Sequence, residues 1–304
     1  MTAPRVGLVA FDSGDRLYAL TGDGTQNDEA YSYAADGWQR FQSSVAGFQN
    51  NFYFMGGAAI GSTFLLLGGT SGAESGPSTS GLILPIQSGS NPTRPVGLIS
   101  LSSGVSSMGM ATLGGNVYMV GGLGNGGVVA NVITYSQTLI AQADPNLQSP
   151  ISGSAGPALR AARGGLGLVA ANGKLYAVDG FVMDATGRNG VRATNLIQVF
   201  DPTAGTWTAS TDSGGPAAPA TKRYGCGVAA VGSKIYVVGG VDDQSQTLRS
   251  VDIYDTVANT WTSGAPMPTA RSGLALVAHN GVLFALGGAD ATGHALRTVE
   301  VYVP

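Results

Sequence analysis

The 304-residue chain carries 15 Lys and Arg against 18 Asp and Glu, a formal charge of −3, with 48 Gly and a single Cys. A weakly acidic chain without clustered Lys or Arg has no electrostatic footprint for nucleic acid or an anionic membrane. Lone Cys226 excludes an internal disulfide framework, and the lack of Cys/His ligand spacing excludes a structural zinc site, so no metal or cofactor is expected.

No basic segment followed by an apolar core opens the chain, and no run of about eighteen apolar residues follows. A soluble protein is expected, its compartment undetermined: cytoplasmic, or secreted from a longer precursor. Six related copies then appear in chain order. The first starts its innermost strand near Val6, continues through RLYALTG to Gly22 and reaches a fourth strand at Trp38. The second and third end apolar runs at Gly69 (TFLLLGG) and Gly122 (NVYMVGG), then continue through irregular Gly/Ser/Pro-rich connections without a Trp. GGLGNGG at Gly121–Gly127 resembles a phosphate loop only in isolation, because it follows a strand and precedes no helix.

The last three copies are the most regular. The fourth runs GLGLVAANG, KLYAVDG to Gly180, LIQVFD at Leu196–Asp201 and then Trp207. The fifth runs GCGVAAVGS, KIYVVGG to Gly240, SVDIYD at Ser250–Asp255 and Trp261. The sixth runs GLALVAHNG, VLFALGG to Gly288 and TVEVYV at Thr298–Val303, with no Trp after it. Two short apolar segments joined by an Asn/Gly/Ser turn read as a hairpin. Four such strands per unit of about fifty residues, without helical periodicity, predict a propeller blade. The Gly pair belongs where a Cβ would clash near the axis, and the Trp can cover the gap between neighbouring blades.

The stretch Val251–Gly288, VDIYDTVANTWTSGAPMPTARSGLALVAHNGVLFALGG, resembles a kelch repeat. It has the Gly pair, an aromatic ahead of the Trp, a Pro-rich link and an Arg opening the next unit. The resemblance implies an all-β, six-bladed kelch-type propeller around a central channel. One domain over 1–304 is expected, with repeats at 5–45, 46–102, 103–160, 161–220, 221–268 and 269–304. The last blade should have three strands, leaving an edge open to a partner chain, to self-association or to a continuation of the native chain beyond residue 304.

Aligning the Gly pairs places Arg5, Arg163, Arg223 and Arg271 at one register, in the contexts PRVG, ARGG, KRYG and ARSG. The resemblance implies that their loops share a face with the second-to-third-strand loops. Four guanidinium groups around the mouth would suit carboxylates, phosphates or acidic side chains. Alternatively, each Arg pairs with a carboxylate or carbonyl of a neighbouring blade and holds the disc together. The second-to-third-strand loops contribute Asp23, Asp28, Glu29, Glu74, Asp184, Arg188, Asp242, Asp243, Asp290 and His294. These are either a polar pocket with a general acid or base, or ordinary Asp-led turns. His279 is expected in a turn on the opposite face, solvated and inert. Cys226 reads as a small core residue.

Two functions remain. The first is a non-catalytic module binding a peptide, protein or glycan on the central face, through Arg5, Arg163, Arg223, Tyr224, Arg271, Asp242 and His294. The alternative is a small-molecule enzyme resembling kelch-fold sialic acid mutarotases, with a carboxylate held by the central Arg residues. The copper radical oxidases of this fold need a His/Tyr/Cys set that the chain lacks, and the acid, acid, histidine spacing of iron-using specifier proteins is missing too.

Overall fold

Short apolar runs of period two, bounded by Gly- and Asn-rich turns, form strands that bury one or both faces. The computed structural model describes residues 1–22, 28–41, 52–71, 76–86, 89, 91, 94–185, 187 and 190–304. Blade 1 contains β1 (Val9–Asp12), β2 (Arg16–Leu20), β3 (Asp28–Ser32) and β4 (Gly37–Phe41). Blade 2 contains β5 (Gly56–Ile60), β6 (Thr63–Leu67), β7 (Ser80–Pro85) and β8 (Gly97–Ser100). In blade 3, β9 (Gly109–Leu113) and β10 (Asn116–Val120) precede a small hairpin, β11 (Leu123–Gly124) and β12 (Gly127–Val128). That blade then adds β13 (Val132–Ser136), a one-turn helix α1 (Gln137–Ile140) and β14 (Ser154–Ala155).

In blade 4, β15 (Gly167–Ala171) and β16 (Lys174–Val178) lead into a raised hairpin, β17 (Phe181–Met183) and β18 (Val191–Ala193). The blade continues with β19 (Ile197–Asp201) and β20 (Thr206–Ala209). Blade 5 has β21 (Gly227–Val231), β22 (Lys234–Val238), β23 (Val251–Asp255) and β24 (Thr260–Ser263). Blade 6 has β25 (Ala275–His279), β26 (Val282–Leu286) and β27 (Val299–Tyr302), the expected three strands. Among the described residues no helix is long and apolar enough to cross a membrane.

The innermost strands β1, β5, β9, β15, β21 and β25 touch in a closed circle. The second strands bury side chains on both faces, as in Leu17–Leu20, Phe64–Leu67 and Leu175–Val178. Full burial of such an apolar side chain stabilises by about 1.5–3 kcal/mol, so these strands carry most of the blade-to-blade adhesion. Trp207 and Trp261 behave as expected: their indole Nε1–H groups donate to Pro157 O (2.9 Å) and Ala217 O (2.7 Å), each in the link that follows the preceding blade. In the Trp-less blades the outer rim is stitched by backbone instead, with Ser100 N–H donating to Ile151 O and Ile151 N–H to Leu98 O, both at 2.9 Å.

Closure needs no strand exchange because two rings of backbone hydrogen bonds encircle the axis. In the inner ring, Phe54 N–H donates to Gly7 O, Ser107 to Phe54, Gly165 to Ser107, Gly225 to Gly165, Gly273 to Gly225 and Gly7 to Gly273, at 2.7–2.9 Å. In the outer ring, the N–H of Gly22, Gly69, Gly122, Gly180, Gly240 and Gly288 donates to the carbonyl of Phe52, Val105, Arg163, Arg223, Arg271 and Arg5, respectively. The Gly pair follows from that second ring. A Cβ on Gly239 (φ +66°) would lie 2.4 Å from Arg271 O, and one on Gly287 (φ +59°) would lie 2.7 Å from Arg5 O.

Candidate functional site

Arg5, Arg163, Arg223 and Arg271 are all fully buried, so the expected ring of free donors at the mouth does not form. The guanidinium folds back into its own blade and donates through Nη1 to a carbonyl sixteen residues on. The pairs are Arg5 with Thr21 O (2.7 Å), Arg163 with Asp179 O (2.5 Å), Arg223 with Gly239 O (3.2 Å) and Arg271 with Gly287 O (3.0 Å). A carboxylate on the third strand completes three of these clasps: Glu29 for Arg5, Asp252 for Arg223 and Glu300 for Arg271. Blade 4 has neutral Gln198 at that register, opposite Ala177. A charge removed from water is tolerated only when it is paired and hydrogen-bonded. Each of these four Arg residues therefore braces the loop entering its blade against that blade's own second strand, with no exposed surface.

Blade 4 draws its countercharge from Asp179, which occupies the first Gly position at φ +58°. Its side chain is fully buried 3.5 Å from Arg223 Nε, and neither oxygen accepts a hydrogen bond. Burial raises the Asp179 pKa well above its ordinary value, with Arg223 and Arg163 opposing the shift. Burial also lowers Arg163 to about 10. In other blades the first Gly lies against a large residue of the next blade, as Gly121 does against Leu166 and Gly239 against Leu274. The residue at that register beyond Asp179 is Cys226, whose smaller side chain makes room for the carboxylate. Desolvation and nearby Asp179 push the Cys226 thiol to about 12, so it is no nucleophile.

The loops entering the innermost strands do share a face with the second-to-third-strand loops. Backbone bridges join Tyr53 to Thr70, Ser106 to Leu123, Gly164 to Phe181, Tyr224 to Val241 and Ser272 to Ala289. The acids of those loops mostly organise their own turns. Asp242 Oδ1 accepts from Gln244 N–H (2.9 Å) and Gln246 N–H (2.8 Å), and Asp290 Oδ1 accepts from Thr292 N–H (2.8 Å) and His294 N–H (3.0 Å). Asp28 and Glu29 are buried in blade 1, Asp184 pairs with Arg192, and Asp243 pairs with Lys222. His294 is exposed, its Nδ1 2.6 Å from Thr292 Oγ1. Asp242 and His294 therefore sit on rim turns and do not line the central depression. Asp23, Glu74 and Arg188 lie outside the described residues.

His279 departs from expectation. It stacks on Tyr33 with ring centroids 3.9 Å apart, and its Nδ1 lies 2.9 Å from Asp12 Oδ2. It thus joins blade 6 to blade 1 instead of standing free in solvent. Among the described residues no group of three His, Cys, Asp or Glu is arranged to hold a metal ion.

What remains at the axis is a depression of about 250 Å³ lined by residues of all six blades. Its lower wall is an apolar collar of Leu8, Met55, Met108, Leu166, Cys226 and Leu274. Its mouth carries Phe54, Phe181 and Tyr224, the last two packed edge to face with centroids 5.5 Å apart. Among the described residues chosen from sequence as ligand-binding, only Tyr224 lines it. Phe54 was missed. It occupies the position filled by Gly7, Gly165, Gly225 and Gly273 in the Arg-bearing copies, in the left-handed region at φ +55°, and it is 41% exposed. The signal was present: the contexts PRVG, ARGG, KRYG and ARSG all place Gly two residues after Arg, where the second copy reads FYF.

A Kelch motif model matches residues 222–268 and 270–304, which are blades 5 and 6. The Rab9 effector protein with kelch motifs of Gallus gallus is 37% identical over 70 residues, 22% of this chain and 18% of that protein. The chain thus aligns with less than a fifth of that relative's length. Six antiparallel blades closed around one axis make this chain a β-propeller, and its last two blades match the Kelch motif.

Proposed function

We propose that this propeller is a non-catalytic interaction module that takes an apolar or aromatic side chain of a peptide or protein partner into the central depression. Phe54 carries the reading. A bulky residue at positive φ is a genuine backbone outlier, at a cost of about 1–2 kcal/mol. The inner ring of backbone hydrogen bonds holds this conformation, and residues held in this way cluster at binding sites. Here it stands an exposed aromatic at the mouth beside Tyr224, over a collar without a charged group. The kelch-motif relative, named as a Rab9 effector, agrees with a protein-binding role. A pocket enzyme holding a carboxylate is disfavoured, because none of the described residues that line the depression carries a guanidinium.

The test is selection of peptides from a displayed random library on the wild-type protein, with affinities then measured against Phe54→Gly and Tyr224→Ala. Either variant should weaken binding at least tenfold. Phe54→Gly should also raise unfolding free energy by about 1 kcal/mol, since it relieves the left-handed strain. Selected peptides that bind both variants as tightly as the wild type would remove the depression from the function.

A further inference from the structure

Phe54 is not alone in holding a side chain where the inner ring favours none. The six ring positions in blade order are Gly7, Phe54, Ser107, Gly165, Gly225 and Gly273, all at positive φ. Four of them are Gly, which adopts that conformation without steric cost. Ser107 holds it at φ +53°, in the blade next to that of Phe54. Two adjacent blades thus keep side chains at the axis where the other four have bare backbone.

Two Phe rings lie on that bare backbone. A Cβ added to Gly7 would stand 2.9 Å from Phe54 Cδ1, and one added to Gly273 would stand 3.6 Å from Phe54 Cε1. Phe181 covers blade 4 in the same way, its Cε1 lying 3.1 Å from a Cβ built on Gly164 and 3.0 Å from one built on Gly165. Ser107 belongs to blade 3, between the blades that carry the two Phe residues. Polar groups are scarce here, because the inner ring consumes the N–H of all six positions. Neighbouring Ser106 gives its hydroxyl to Leu123 O at 3.5 Å. The Ser107 hydroxyl makes no hydrogen bond among the described residues. Apart from the Tyr224 phenol, it is the only hydroxyl among the described residues that line the depression.

We propose that Ser107 sets the specificity of the central depression, so that the side chain it takes is Tyr or Trp in preference to Phe. This rests on the peptide-binding reading above and sharpens it. The flat body of the side chain lies between Phe54 and Phe181 over the apolar collar, and its phenol O–H or indole N–H donates to Ser107 Oγ. Offset or edge-to-face contacts with the two Phe rings favour an aromatic body. Burial alone would rank Phe above Tyr, because a hydroxyl taken out of water without a partner costs free energy. A preference for Tyr over Phe therefore reports a hydrogen bond. Ser107 is a better acceptor candidate than the Tyr224 phenol because it is held in a backbone conformation that Gly would relieve.

The experiment titrates the full chain with N-acetyl-tyrosinamide, N-acetyl-tryptophanamide and N-acetyl-phenylalaninamide, read by NMR at the backbone amides of Ser107, Gly165 and Gly225. The Tyr and Trp probes should bind about threefold to tenfold more tightly than the Phe probe, the worth of one neutral hydrogen bond. That preference should vanish in Ser107→Ala. It should vanish equally in Ser107→Gly, which fits the ring without strain and holds the test open if the Ala variant distorts the mouth. Shifts at those amides with equal affinity for all three probes would overturn the specificity and leave the peptide-binding reading standing. No shift with any probe would overturn the inference, while the library selection decides that reading separately. A preference that survives Ser107→Ala and is lost in Tyr224→Phe would assign the contact to the phenol, and would overturn the inference too.

Discussion

Blades 2 and 3 solve the same packing problem as blades 5 and 6 with opposite chemistry. The register that holds Arg223 and Arg271 holds Phe52 and Val105 in blades 2 and 3, as the outer hydrogen-bond ring shows. The register of Asp252 and Glu300 holds Leu82 and Ile133. In these four blades charge and countercharge are present together or absent together. The lesson is energetic: a buried guanidinium without its acid leaves an uncompensated charge, whereas an apolar pair of similar volume fits the same space. The clasp is one of two ways to fill a wedge near the axis, and its recurrence at four blades reflects packing, not ligand recognition.

The most damaging way to break that comparison is Arg223→Val, which strands Asp179 and Asp252. We expect a loss of about 3–5 kcal/mol in urea unfolding. The matching way to sharpen it is to give blade 6 the chemistry of blade 3. Arg271→Val alone should cost several kcal/mol, and adding Glu300→Ile should recover most of it, a coupling that a double-mutant cycle reads directly. Additive losses would show that the clasp is not a unit.

A smaller effect tests the backbone that both kinds of blade share. Gly239→Ala puts a Cβ into the carbonyl of Arg271 at positive φ, and about 2 kcal/mol of destabilisation is expected from unfolding midpoints. Smaller again is a pH effect confined to blade 4. The folded-state pKa of Asp179 is raised by burial, so its contribution is fully present below its ordinary 3.8 and is lost as pH rises through the raised value. Asp179→Asn should therefore melt increasingly above the wild type as pH increases over that window. A constant offset at all pH values would mean that the carboxylate is already ionised without penalty. The smallest expected effect is none: with the Cys226 thiol at about 12, iodoacetamide at pH 8 should label the protein only after unfolding.

Much of the fold was legible because its determinants are local. Gly pairs, aromatic and Trp spacing, and apolar runs such as KIYVVGG report turns and strands within a single blade. The site was less legible. A side chain as long as Arg can reach out to solvent or back to a carbonyl sixteen residues away, and its register is the same in both cases. His279 was misplaced for a related reason: its partners, Asp12 and Tyr33, lie at the other end of the chain.

By itself, then, the order of residues determined six blades, their strand count and the register that aligns Arg5, Arg163, Arg223 and Arg271. Only the closed ring decided what each register means. It turned the Arg residues inward to meet carbonyls sixteen residues on in their own blades, and left Phe54 and Tyr224 at the axis. The physical reason is that strand and turn preferences act over a few residues. Burial and charge compensation depend on which blade comes to lie beside which, and closing the circle sets that.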